Sequence, residues 1–77
     1  REEMEQQRGR LERELARLQQ EEETLRAKLE DAEFLSRAPA LVREKTHGRY
    51  AATQERLRAV EAQLSELSEL LGGETRT

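Results

Sequence analysis

Apolar side chains recur in steps of seven on both sides of one short segment, Glu33-Phe34-Leu35-Ser36-Arg37-Ala38-Pro39. Before it, Met4, Leu11, Leu18, Leu25 and Ala32 form one row, and Arg1, Arg8, Leu15, Glu22 and Leu29 a second. After it, Thr46, Thr53, Val60 and Leu67 form one row and Tyr50, Leu57, Leu64 and Leu71 the other. Two rows three or four residues apart make the seam of a coiled coil, and a break between two such tracts lets the second helix return along the first. The pattern predicts an all-α fold, a two-helix antiparallel coiled-coil hairpin. In such a hairpin, partner positions add to a near-constant number. Leu29 with Val42, Leu18 with Thr53, Leu11 with Val60 and Met4 with Leu67 all add to 71, while Leu15 with Leu57, Glu22 with Tyr50 and Arg8 with Leu64 add to 72. One register therefore matches both rows from base to tip.

Local signals place the boundaries of this single domain: helix one over about 2–31, a turn over about 32–38, helix two over about 39–71 and a tail at 72–77. Gly9 weakens the first turns of helix one, since glycine is about 1 kcal/mol less favourable than alanine in a helix. Ser36 is expected to cap the second helix, and Pro39 suits a first helical turn because its missing amide would go unpaired there. Phe34 is expected to plug the end of the seam over Leu29, Leu35 and Val42. Gly72-Gly73 supplies the left-handed conformations of a helix stop. The middle of the seam is polar: Glu22 faces Tyr50, Thr46 and Thr53 fill apolar positions poorly, and Gly48 interrupts helix two. Glu22 is expected to fix the register by bonding Tyr50 or pairing with Arg49.

Composition restricts what such a chain does. Seventy-seven residues, 34% of them apolar and only two aromatic, cannot enclose a ligand pocket of several hundred cubic ångströms, so the core is a line of contacts. The 40% of charged residues falls on faces that the heptads leave to solvent, which separates the chain from a disordered one. The absence of cysteine excludes disulfides and thiolate metal sites and fits a cytoplasmic location. Apolar runs reach only two or three residues, so no membrane span or signal-peptide core is expected.

The net charge of −3 is unevenly spread. Residues 1–35 carry seven Lys/Arg against eleven Asp/Glu, residues 36–50 four against one, and residues 51–77 three against five. A basic tip on an acidic shaft suits contact with a polyanion at the turn. Arg37, Arg43, Lys45 and Arg49 are the first candidates for that contact. Arg10, Arg13 and Arg17, on one outward face of helix one, are the second.

No catalytic constellation emerges. Glu21, Glu22 and Glu23 are consecutive on a helix and point in different directions, so they cannot act as a paired acid and base. His47 is the only histidine and has no partner at metal-ligand spacing, so neither a metal site nor a catalytic residue is expected. Gly72-Gly73 lacks the lysine and the strand of a phosphate loop. The chain is expected to work by contact and not as an enzyme.

At the turn the sequence becomes specific. Leu29-Glu30-Asp31-Ala32-Glu33-Phe34-Leu35-Ser36-Arg37-Ala38-Pro39-Ala40-Leu41-Val42, followed by Leu57, Val60, Leu64 and Leu67, resembles the C-terminal coiled-coil arm of valyl-tRNA synthetase. Phe34, Arg37, Ala38, Pro39 and Val42 match the family pattern at the same mutual spacings. Asp31 stands where asparagine is common, Arg43 where a second valine is common, and Thr46 where glutamate is common. The resemblance implies an RNA-binding arm of a valine-tRNA ligase that leans on the outer corner of the tRNA and supports aminoacylation elsewhere in its parent. Its implied partners are a valine tRNA and the rest of the synthetase, with a second copy of the isolated arm as a further candidate. ATP and Mg are implied for the parent alone, whose catalytic motifs this chain lacks, and no cofactor is implied for the chain itself. Two other readings stay open: the C-terminal nucleic-acid-binding hairpin of a translation-associated ABC-type ATPase, which the Arg37-Ala38-Pro39 triplet disfavours, and a structural coiled coil joining proteins.

Overall fold

The computed structural model describes residues 2–75, with side chains as far as Gly72. Arg1, the head of the second apolar row, and residues 76 and 77 of the expected tail lie outside the described residues. Apart from Asp31, Ala38 and Pro39 the described residues are helical, without strands: α1 (Glu2–Glu30), α2 (Ala32–Arg37) and α3 (Ala40–Thr75).

Each boundary has a local cause. Glu2, Glu3 and Glu5 in the first turn of α1 and Lys28 in its last complement the helix dipole. Asp31 then leaves the helix with φ −85° and ψ 113°, and its carboxylate accepts the Glu33 amide at 3.0 Å, capping α2. α2 stops at Ala38, which is extended at φ −72° and ψ 134° because the ring of Pro39 excludes the helical region for the residue before it. The Pro39 carbonyl accepts the Arg43 amide at 3.1 Å, and Pro39, just before the first residue of α3, has no amide to leave unpaired.

Three local expectations are corrected. The expected turn at 32–38 holds a six-residue helix, because Asp31 offers a cap where only a loop was foreseen. Ser36 lies inside that helix and donates to the Glu33 carbonyl at 3.1 Å, so it does not cap the next helix. Gly72-Gly73 does not stop α3, which runs through Thr75. Glycine permits a left-handed conformation without imposing one, and no glycine among the described residues has positive φ.

The core is a narrow line between α1 and α3. Leu11, Leu18, Leu57, Val60 and Leu67 form one buried cluster, with Met4, Leu15 and Leu64 packed against it. Val60 is fully buried, and Leu25, Thr53 and Leu71 are buried as well. The extents, 58 × 18 × 14 Å, fit helices of roughly 43 and 54 Å lying side by side at 1.5 Å per residue. The radius of gyration, 17.1 Å, exceeds the about 11 Å expected of a compact domain of this length.

Toward α2 the packing thins. Leu29, Phe34 and Leu35 are half-buried, and Val42 is 42% exposed although it continues the buried face of α3. α1 has ended by that level, and the short α2 covers less surface.

Candidate nucleic-acid interface

At the tip, where α1, α2 and α3 meet, α2 brings Phe34 and Arg37 beside the first turn of α3. Phe34, Arg37, Ala38, Pro39 and Val42 line one open surface depression of about 420 Å³, together with Asp31 and Glu33. Phe34, expected to plug the end of the seam, is half-buried here and shares the depression with Val42. It is not part of the central buried cluster.

The four basic residues expected at the tip have different roles. Arg37 and Lys45 are exposed, with no ion pair to an acidic side chain among the described residues. Arg43 donates from its guanidinium to the Leu35 carbonyl at 3.4 Å, satisfying a free acceptor in the last turn of α2 and tying that helix to α3. Arg49 belongs to the shaft, where it pairs with Glu21 of α1 at 3.6 Å. Exposed His47 lines a separate shallow depression with Leu35 and Arg43. No group of three or more metal-ligating side chains occurs among the described residues.

Of the second set, Arg10 and Arg13 are exposed. Arg17 lies between two carboxylates, 4.0 Å from Glu14 and 3.7 Å from Glu21. Glu14 also accepts from Arg56 of α3 at 2.8 Å. That hydrogen bond holds the Glu14 carboxyl below its ordinary 4.5, opposed by desolvation and reinforced by the charges of Arg56 and Arg17. Sequence reasoning passed over Arg56, although its number and that of Glu14 add to 70, close to the sums of the seam.

The polar layer is wired differently from the expectation. Glu22 pairs with Arg26, one turn along its own helix, at 2.7 Å, while Arg49 takes Glu21. Arg26 is held above its ordinary range first by Tyr50 and then by Glu22. Thr46 returns its hydroxyl to the Val42 carbonyl at 2.8 Å, and no buried side-chain polar atom among the described residues lacks a partner.

Taken together, the tip offers an apolar wall beside an unpaired guanidinium, and the shaft offers arginines shared among few carboxylates. Neither arrangement activates a nucleophile or holds a paired acid and base. Both suit contact with an anion. No helix among the described residues is long and apolar enough to cross a membrane. Residues 3–68 match the family model described as the valyl tRNA synthetase tRNA binding arm, a span that takes in α2 and most of both long helices. No curated protein and no solved structure matches the chain.

Proposed function

Because the chain belongs to the family of valyl-tRNA synthetase tRNA-binding arms, we propose that it is a single antiparallel coiled-coil arm that leans on the outer corner of a valine tRNA and supports aminoacylation by its parent ligase in the cytoplasm. The observation that carries this reading is the convergence of Phe34, Arg37, Ala38, Pro39 and Val42 on one exposed depression. Phe34 and Val42, three residues to either side of the consecutive Arg37, Ala38 and Pro39, would turn inward if they served only the core. Here they build a surface.

The chemistry of that surface suits a nucleotide at a folded RNA corner. A ribose or base face packs against Phe34 and Pro39, and a phosphate meets Arg37 with Lys45 nearby on α3. Arg43 acts one step back by fixing α2 and hence the position of Arg37. ATP and Mg act in the catalytic domain of the parent.

Titration of the chain with folded tRNA and with duplex DNA of equal length tests the reading. Tighter binding to tRNA is expected. Arg37→Ala with Lys45→Ala should weaken it and lower the dependence of log K on log salt by up to about two, one counterion for each lost phosphate contact. Equal affinity for both nucleic acids, unaffected by the double substitution, would refute the proposal.

A further inference from the structure

Building on that reading, we propose that one flank of the shaft is a track for the tRNA sugar-phosphate backbone, so that the arm lies on the RNA along its side as well as at its tip. The flank gathers Arg10, Arg17 and Lys28 of α1 with Lys45, Arg49 and Arg56 of α3. Spacings of seven and eleven residues in the first set, and of four and seven in the second, are near whole turns at 3.6 residues per turn, so each set forms a row along its helix. The pairs Glu14–Arg56 at 2.8 Å and Glu21–Arg49 at 3.6 Å bring the two rows together on the same side of the molecule.

The ion pairs on this flank leave an excess of positive charge. Arg17 reaches both Glu14 and Glu21, so two carboxylates are shared by three arginines. The carboxylates lie deeper, with 25% and 32% of their side-chain surface exposed, against 51%, 65% and 72% for Arg56, Arg17 and Arg49. An approaching anion therefore meets guanidinium groups first. Each guanidinium has five N–H donors, and one bond to a carboxylate leaves others for a phosphate.

Glu3, seven residues before Arg10, shares the basic row, but four other acidic residues of α1 sort to another side. Glu5, Glu12, Glu23 and Glu30 repeat at seven, eleven and seven, and Glu12 is two residues from Arg10, which is about half a turn away. A polyanion is drawn to one flank and repelled from the other, which fixes the roll of the arm on its ligand. The net charge of −3 conceals this separation.

The test uses the full chain and folded tRNA, with binding measured across a range of salt concentrations. The triple variant Arg10→Gln, Arg17→Gln, Lys28→Gln leaves Glu14 and Glu21 with their arginines from α3, and circular dichroism checks that its helix content is retained. Weakening of about tenfold is expected, with a salt slope lower by about two. Lys28 and Lys45 are the only lysines in the chain, so amine-reactive labelling of the unsubstituted protein gives a second reading, with both expected to be protected by tRNA. Glu12→Gln with Glu23→Gln should leave binding within about twofold. If that acidic-side variant binds more tightly by as much as the triple variant binds more weakly, overall charge alone governs affinity and the track is overturned. If the triple variant binds as the parent chain does and Lys28 labels freely, the track is also overturned. In that case loss of binding in the Arg37 and Lys45 variant keeps the tRNA reading, while intact binding there refutes both.

Discussion

At the scale of single residues, burial separates two side chains that look equally apolar in the sequence. Val60 has no exposed surface and belongs to the central cluster, whereas Phe34 is half-buried on the wall of an open depression. Truncating a buried phenylalanine costs about 3 kcal/mol or more, but a ring that already meets water loses less. Phe34→Ala should therefore cost only about 1 kcal/mol, and Val60→Ala, which removes two buried methyl groups and leaves a cavity, about 2 kcal/mol. Thermal melts followed by circular dichroism check the order. If Phe34→Ala proves the more destabilising, its ring is a core group and the depression is not a preformed surface.

At the scale of elements, α3 carries glycine inside a helix with no backbone need for it. Gly48 is exposed, has no positive φ, and a methyl group built on it meets nothing within 4 Å. Alanine there should stabilise the chain by about 0.5–1 kcal/mol, because it restricts the unfolded backbone and fits the helix without strain. That corresponds to a melting temperature higher by several degrees in a domain of this size, roughly 4–8 °C per kcal/mol. A lower melting temperature would mean that α3 needs a bend at Gly48. The same substitution leaves the cations of the tip unchanged, so it also separates helix stability from RNA contact.

At the scale of the whole molecule, α1 and α3 are joined by a thin apolar line and a few charged clamps, of which Glu14 with Arg56 and Arg17 is the most connected. The Glu14 carboxyl is held below its ordinary value in the folded chain. A depressed carboxyl pKa contributes stability that is present above the unfolded pKa and lost as pH falls through the folded one. The melting temperature should therefore fall on acidification below about pH 4.5, and Glu14→Gln should flatten part of that fall while lowering stability near neutral pH. An unchanged acid limb in the variant would show that the clamp adds nothing to folding. Solvent around these exposed groups limits the size of the effect and leaves its sign intact.

The sequence by itself determined that the chain is helical and where its long helices meet. Leu11, Leu18 and Leu25 recur every seven residues, and so do Thr53, Val60 and Leu67, and only a helix gathers such positions on one face. It also carried the family pattern at the turn, since Phe34, Arg37, Ala38, Pro39 and Val42 are fixed by local spacing. Only the tertiary structure decided which acid meets which base. Glu21 and Glu22 are neighbours in sequence but leave the helix about 100° apart, so one crosses to Arg49 and the other stays with Arg26. It likewise put Phe34 on a short helix, because the cap at Asp31 starts an element that no seven-residue repeat specifies. Apolar periodicity is a property of one helix, whereas charge pairing and the facing of a tip depend on how helices lie against each other, and that relation exists only once the chain has folded.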